Sequence, residues 1–271
     1  MEKLIITAAL TGAEVTKEIQ PSLPVTPDEI AEAAYECWKA GASIVHVHAR
    51  DAEGNPTQSG DVYKEIIEKI SAKCDIIVQP STGGATWHTP EQRLQPVELA
   101  PEMATLSCGT CNFGDEVFMN TQENIEIFAR RMQEMGVKPE IEVFERGMID
   151  TAKGLVKKGL ISAPLHFDFV LGVPGACPGN PEDLMYMVHQ IPSDATWTVA
   201  GIGRFETPLA AMAIIMGGHV RVGFEDNVYY SKGVKADSNA QLVARVARLA
   251  AELGREVATP DEARRILGIA K

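Results

Sequence analysis

The chain has little positive charge and no long apolar run. Its 271 residues include 25 Lys and Arg against 37 Asp and Glu, which gives a formal net charge of −12. This balance argues against a nucleic-acid or anionic-membrane partner, so an anionic substrate must be captured by local basic groups. No apolar run approaches the ~18 residues that a membrane-spanning helix needs, and the N-terminal sequence is not typical of a signal peptide.

Cysteine is also scarce. The chain has five cysteines, and an odd, sparse set predicts free thiols in a reducing cytoplasm rather than a disulfide framework. Cys108 and Cys111 form a C-x-x-C sequence, but no second cysteine pair or helix N-terminus accompanies them. We therefore interpret them as two unpaired thiols in a loop.

Strand and helix patterns alternate along the whole chain. Threonine–proline pairs that begin at Thr26, Thr89 and Thr259 mark helix starts. The phosphate-binding sequence G-x-G-x-x-G is absent after the first strand, which weakens the alternative of a doubly wound open sheet. Alternation over this length predicts an α/β fold, a (β/α)8 TIM barrel, with residues 1–271 as a single catalytic domain. The eight predicted strands cover residues 4–10, 43–47, 76–79, 104–106, 141–144, 165–171, 196–199 and 219–222.

Two histidines lie close together on the second predicted strand. Side chains alternate between the two faces of a strand, so His46 and His48 point the same way. A single histidine would more often be a core residue, but two imidazoles on one face form half of a Zn²⁺ site. The spacing therefore favours a metal-binding role for this pair.

Two adjacent acids, Glu225 and Asp226, follow the last predicted strand. In a TIM barrel the chemistry lies at the carboxyl ends of the strands, so these acids and the two histidines should meet there. One carboxylate would complete a catalytic zinc site with an open position, although a solvated acidic loop is the alternative. Arg221 lies on the strand itself and should meet an acid or a substrate carboxylate.

Other strand ends also carry polar residues. Ser81 opens a Ser-Thr-Gly-Gly loop whose hydroxyls and N–H groups suit an anion, although a plain tight turn is equally consistent. Gly201, Gly203 and Arg204 follow the seventh strand, where TIM barrels commonly bind phosphate. Three further candidates at strand ends are Glu14, Thr105 and Glu142.

Taken together, these motifs resemble those of the β-keto acid cleavage enzymes, and the resemblance runs from end to end. It implies condensation of a β-keto acid with acetyl-CoA, giving acetoacetate and a new acyl-CoA. The members it resembles most act on 3-keto-5-aminohexanoate, form 3-aminobutyryl-CoA in lysine fermentation, and are homotetramers. The motifs that carry it are Thr7–Glu14, His46–His48, Ser81–Gly84, Pro101–Thr105, Val199–Arg204 and Gly223–Asn227.

The resemblance also implies a role for each candidate residue. His46, His48 and Glu225 would hold Zn²⁺, while Arg221 and Asp226 would together deprotonate the substrate. The C-x-x-C sequence is not part of the family pattern. The remaining implied contacts are Glu14 to the substrate amine, Ser81 and Thr105 to the rest of the substrate, and Glu142 as a residue lining the pocket.

Two other functions are consistent with parts of the sequence. A metal-dependent hydrolase of the amidohydrolase type would also be a barrel with His-x-His, but it needs further histidine ligands, and only His166 is available for that role. A non-catalytic barrel that binds a small carboxylate is the other alternative. A requirement for CoA distinguishes the hydrolase, and an absence of bound metal would favour the binding barrel.

Overall fold

The structure is a computed structural model that describes residues 2–269. Eight parallel strands form a nearly closed barrel with helices around it, which confirms the predicted fold class. The strands are β1 Ile6–Ala9, β2 Ile44–Val47, β3 Ile77–Pro80, β4 Met103–Ser107, β5 Lys138–Val143, β6 His166–Leu171, β7 Thr196–Gly201 and β8 His219–Val222.

The strand order is β3-β2-β1-β8-β7-β6-β5-β4, so β3 and β4 are the two edges of the rolled sheet. The connection between these edges is made just beyond β3 by Thr82. Its backbone N–H donates to Thr105 Oγ1 at 3.1 Å, and its hydroxyl donates to the Thr105 carbonyl at 2.7 Å. We call this junction the seam of the barrel.

Three helices begin where the sequence predicted. Thr26, Thr89 and Thr259 each form a capping box with a glutamate or glutamine three residues later. Within residues 2–269, no helix is both long and apolar enough to cross a membrane. The helices are α1 Pro27–Ala40, α2 Gly60–Ser71, α3 Pro90–Leu94, α4 Gln122–Met135, α5 Gly147–Lys157, α6 Pro181–Gln190, α7 Glu206–Met216, α8 Asn239–Glu252 and α9 Pro260–Leu267.

The barrel interior is polar toward the carboxyl ends of its strands and apolar toward the amino-terminal ends of β1 to β4, while His166 and His219 are buried at the starts of β6 and β8. At the amino-terminal ends of the strands, Ile5, Ile44, Ile77 and Met103 pack in a cluster with residues of α9 such as Leu267. Nearer the carboxyl ends, the buried side chains are polar or charged. Burying such groups costs free energy even when they are paired, so their concentration at this end, where barrels carry their chemistry, marks the candidate site. Buried polar side chains include those of His46, Gln79, Glu142, Asp168 and Arg221.

Three short antiparallel strand pairs lie in the loops after β2, β4 and β8, and the sequence did not predict them. The middle pair joins Cys111–Phe113 to Glu116–Phe118, so Cys111 lies in a strand rather than in a plain loop. We call residues 111–118 the β4 hairpin. The other pairs join Ala49–Arg50 to Pro56–Thr57 and Tyr229–Ser231 to Val234–Lys235.

Candidate active site

The two histidines of β2 and a carboxylate from the loop after β8 converge. The rings of His46 and His48 are buried, with their centroids 5.2 Å apart. Glu225 Oε1 lies 3.5 Å from Nε2 of each histidine. One potential ligand atom from each of the three residues lies within 4.8 Å of the others. The structure thus brings together the three side chains that the sequence indicated for a metal.

The surroundings of these three residues fit a divalent metal ion. His46 Nδ1 lies 2.8 Å from Gln79 Oε1 and donates to it, because an amide oxygen only accepts, so the lone pair of Nε2 faces Glu225. Glu225 Oε2 is buried and has no hydrogen-bond partner within residues 2–269. Two imidazole nitrogens and one carboxylate, with a side open to the cavity, form the donor set of a catalytic zinc site.

The charges of the three residues also suit a cation. Burial alone would raise the pKa of Glu225, but Arg221 and the two imidazoles hold it well below its ordinary value. Burial lowers the pKa of His48. Burial acts in the same direction on His46, but the Glu225 carboxylate outweighs it and the pKa of His46 is raised. A metal ion would compete with that proton for the His46 nitrogen.

Arg221 reaches from β8 into the barrel and pairs with both acids of the following loop. Its Nε donates to Asp226 Oδ2 at 2.9 Å, and its Nη2 donates to Asp226 Oδ1 at 3.1 Å and to Glu225 Oε1 at 2.5 Å. Burial raises the pKa of Asp226, and this outweighs the opposite effect of Arg221. A buried carboxylate with a raised pKa and a fixed orientation is suited to accept a proton.

These residues line a cavity of about 460 Å³ at the carboxyl ends of the strands. The cavity is large enough for a small keto acid together with part of a second substrate. Eight of the residues predicted for the site contribute to its wall: Glu14, His46, His48, Ser81, Glu142, Arg221, Glu225 and Asp226.

The loop after β3 presents Ser81 to the cavity. Ser81 Oγ accepts a hydrogen bond from the Gly83 N–H at 3.1 Å, which leaves the hydroxyl proton available for a ligand. Thr105 lies elsewhere than the sequence suggested: it is fully buried at the seam, bonded to Thr82, and does not line the cavity. Its position supports the Ser81 loop from behind.

Glu142 faces the cavity from β5. Its Oε2 accepts from the Ser107 hydroxyl at 2.6 Å, and its Oε1 lies 3.8 Å from Arg221 Nη1. Burial raises the pKa of Glu142, and Arg221 opposes this effect. Ser107 therefore holds the carboxyl group in place without neutralising it.

Glu14 is exposed at the opening of the cavity. Its loop is fixed by Arg50, whose Nη2 donates to the Gly12 carbonyl at 2.6 Å and to the Val15 carbonyl at 2.9 Å. A Cβ at Gly12 would lie 2.8 Å from Glu225 Cγ, and Gly12 has a φ of +67°, so glycine allows this loop to pack against the candidate metal ligand.

The Gly201–Arg204 loop touches the site through its backbone. The Gly203 N–H donates to the Asp226 carbonyl at 2.8 Å, and a Cβ at Gly201 would lie 2.5 Å from the Phe205 carbonyl oxygen. Arg204 is exposed and stacks over the Phe205 ring, with its guanidinium carbon 4.8 Å from the ring centroid. Of this loop, Ile202 lines the cavity.

Two features of the cavity and its surroundings were not predicted from the sequence. The β4 hairpin covers one side of the cavity with Phe113 and Phe118, whose ring centroids are 6.2 Å apart. Gly114 at its turn has a φ of +62° and was a usable hairpin signal. Asp168 of β6, which the sequence did not distinguish from a core or surface residue, is fully buried with Oδ2 3.8 Å from Arg221 Nη1.

The remaining candidates lie apart from the histidine–glutamate group. His166 Nε2 lies 3.0 Å from Glu140 Oε2, and His166 does not belong to the one metal-binding group found within residues 2–269, so the ligand set of an amidohydrolase is not formed. All five cysteines are free and buried, and burial raises the pKa of Cys111 to about 11. A protonated, buried thiol is unreactive, which agrees with the interpretation of unpaired thiols.

Comparisons with known proteins match all or nearly all of the chain. A family model described as beta-keto acid cleavage enzyme matches residues 3–269. The 3-keto-5-aminohexanoate cleavage enzyme of Fusobacterium nucleatum subsp. nucleatum is 59% identical over 273 residues, covering 100% of each chain. The 3-dehydrocarnitine:acetyl-CoA trimethylamine transferase of Rhizobium meliloti is 38% identical, covering 99% of this chain and 97% of that one. The apo structure of ObcA has a TM-score of 0.80 at 20% identity, covering 93% of this chain and 66% of that chain.

Proposed function

We propose a function from one premise: the chain belongs to the beta-keto acid cleavage enzyme family. It is an enzyme of the 3-keto-5-aminohexanoate cleavage type, which condenses that keto acid with acetyl-CoA and yields acetoacetate and 3-aminobutyryl-CoA. The observation that carries the mechanism proposed below is the placement of His46, His48 and Glu225 beside the Arg221–Asp226 pair in one cavity.

His46, His48 and Glu225 would hold a divalent metal ion, and their donor atoms favour Zn²⁺. When bound, such an ion supplies Lewis acidity toward the keto oxygen of the substrate and so lowers the free energy of the enolate. Gln79 would keep His46 in the tautomer that such binding requires, through its 2.8 Å contact with Nδ1.

Asp226 would act as the base. It would remove a proton from C2 of the keto acid, between the carboxylate and the keto group, while Arg221 keeps its carboxylate oriented. The nucleophilic C2 then attacks the carbonyl carbon of acetyl-CoA, and CoA leaves as the thiolate. The thiolate attacks C3, the C2–C3 bond breaks, and C2 takes back the proton held by Asp226, so that acetoacetate and the new acyl-CoA are released.

The other polar residues of the cavity would position the substrates. The Ser81 hydroxyl would donate a hydrogen bond to the substrate carboxylate. Thr105 would act indirectly, through the Ser81 loop that it supports. Glu142 would line the substrate pocket beside Arg221. The Gly201–Arg204 loop would bind acetyl-CoA, with Gly201 and Gly203 shaping the loop and the exposed Arg204 meeting a phosphate.

We propose a cytoplasmic homotetramer. Five free buried thiols agree with a reducing compartment. Exposed apolar side chains, such as those of Trp87 and Ile215, which are 64% and 61% exposed, offer surfaces for subunit contacts. Mass determination in solution measures the subunit number directly.

Isotope labelling tests the reaction. If acetyl-CoA is labelled only in its acetyl group, we expect the label in acetoacetate and none in the acyl-CoA product, because the substrate enolate attacks the acetyl carbonyl. Reactions without acetyl-CoA serve as the control and should not turn over. Label in the acyl-CoA, or turnover without acetyl-CoA, would contradict the proposed condensation.

Glu14 should select the cationic substrate. A carboxylate at the cavity opening stabilises a bound ammonium and gives nothing to a neutral side chain, so Glu14→Gln should lower kcat/KM for 3-keto-5-aminohexanoate by ~10–10²-fold. The kcat/KM for a neutral β-keto acid, measured by steady-state kinetics, should change only about two- to threefold. Glu18→Gln removes an exposed acid nearby in the chain and is the matched control. Equal losses for both substrates would instead indicate a role for Glu14 in chemistry or folding.

A further inference from the structure

The loop Gly223–Asn227 determines the position of both Glu225 and Asp226. It leaves the barrel at β8 and turns back on itself, because the Asp226 and Asn227 N–H groups donate to the Gly223 carbonyl at 3.0 and 2.8 Å. Two backbone contacts join it to its neighbours: the Glu225 N–H donates to the Ala9 carbonyl at 3.3 Å, and the Asp226 carbonyl accepts from the Gly203 N–H at 2.8 Å. The N–H groups of its first two residues, Gly223 and Phe224, are bonded instead by side chains from outside the loop. We call residues 223–227 the acid loop.

The first residue of α7, Glu206, holds the acid loop at both of its ends. Its Oε2 accepts from the Gly223 N–H at 3.3 Å, and its Oε1 accepts from Asn227 Nδ2 at 3.1 Å. Both contacts are buried, and Glu206 is only 1% exposed. One carboxylate therefore spans the segment that contains Glu225 and Asp226.

Arg245 of α8 completes this arrangement. Its Nη2 donates to Glu206 Oε1 at 2.6 Å, and its Nη1 donates to the Tyr230 carbonyl beyond the acid loop. Asn239 adds a support in the middle, because its Oδ1 accepts from the Phe224 N–H at 2.8 Å and its Nδ2 donates to the Leu10 carbonyl at 3.1 Å. The acid loop is thus fixed from two helices and from β1.

Burying the Glu206 carboxyl group costs free energy, so Glu206 is poorly suited to stabilising the fold. Burial raises its pKa to about 8, although Asn227 and Arg245 oppose that shift. Apolar residues often replace buried polar pairs with no loss of stability, so the contacts of Glu206 are better explained by the loop geometry that they enforce. The geometry here is that of a loop carrying two reactive carboxylates.

We propose that Glu206 is a positioning residue for the reaction, because it holds the acid loop so that Glu225 and Asp226 face the cavity together. Glu206 does not line the cavity and acts through the loop backbone and Asn227. The inference rests on the proposed function for the roles of Glu225 and Asp226, but the support of the loop is independent of that function.

Three measurements on Glu206→Gln and Glu206→Ala test the inference. The glutamine side chain keeps an oxygen that accepts from Arg245 and Asn227, but the NH2 group that replaces Oε2 cannot accept from the Gly223 N–H. We expect the Kd for Zn²⁺, measured by competition with a chromophoric chelator, to rise ~10–10²-fold in both variants. We expect kcat to fall ~10–10²-fold with the KM for acetyl-CoA within about twofold of wild type. Hydrogen exchange of the acid-loop amides should accelerate at least ~10-fold, while β8 stays protected.

Glu102→Gln is the matched control. Glu102 pairs with Arg264 through contacts of 2.5 and 2.9 Å, near α9 and away from the site, so this change also removes a charge from an arginine pair. The inference is wrong if the Glu206 variants keep zinc affinity and loop protection within twofold of wild type, or if Glu102→Gln causes the same losses. If Glu206→Ala does not fold, Glu206→Gln decides by the same measurements. If wild type itself neither binds Zn²⁺ nor condenses the substrates, the proposed function fails, and exchange of the acid loop still decides the inference.

Discussion

We expect Asp226→Asn to lower kcat by ~10²–10⁴-fold and to leave the metal content of the protein unchanged. Asn has the shape of Asp and can still accept from Arg221 Nε, which lies 2.9 Å from the carboxylate in the native protein. It cannot accept the substrate proton at neutral pH. Steady-state kinetics combined with metal analysis separates the loss of a base from the loss of a ligand.

The control for this variant is Asp183→Asn. Asp183 is also a buried aspartate paired with an arginine, Arg146, but it lies on α6 away from the cavity. Its replacement should leave kcat within about threefold of wild type. If Asp226→Asn instead removes metal and activity in parallel, the ligand and the base of the Glu225–Asp226 pair have been assigned to the wrong residues.

His48→Ala should abolish both metal binding and turnover while the protein stays folded. The ring supplies one of three ligand atoms, and two remaining ligands are too few for a tightly held catalytic Zn²⁺. We expect about one Zn per wild-type chain and almost none in the variant, with a loss of activity beyond ~10³-fold. Metal analysis, kinetics and circular dichroism of the same preparation measure the three quantities.

The matched control is His189→Ala, which removes an exposed histidine from α6. It should retain metal, activity and fold. Full activity of the wild-type enzyme after exhaustive chelation would refute the metal site, whatever the histidine variants do.

Local rules explain the part of this structure that could be predicted from the sequence. The capping boxes at Thr26, Thr89 and Thr259 involve residues three apart, and the common orientation of His46 and His48 follows from strand alternation alone. The convergence of these histidines with Glu225 needed one further premise, that chemistry gathers at the carboxyl ends of barrel strands. This premise is enough to predict the cavity residues that lie next to strand ends.

The features that escaped prediction depend on contacts between distant segments. Asp168 lies in the middle of β6 and becomes notable only because Arg221, from β8, approaches it. Thr105 lies at a strand end like the other candidates, yet the seam buries it behind Thr82. Glu206 begins a helix, and acids are common there because they interact favourably with the helix dipole. The sequence therefore does not distinguish an ordinary helix-start acid from one that bonds the acid loop.

The strands that carry the proposed catalytic residues are joined differently from the strands at the seam. His46, Arg221 and the acid loop belong to β2 and β8, which flank β1 in an unbroken run of backbone hydrogen bonds. Ser81 and the β4 hairpin lie beside this run, around the seam, where Thr82 joins the strands instead of a continuous ladder. Remodelling of the seam loops to accept a different keto acid would leave the hydrogen bonds that join β2, β1 and β8 undisturbed. The loops at the seam can therefore change with the substrate while the strands beneath the proposed metal ligands and base keep their pairing.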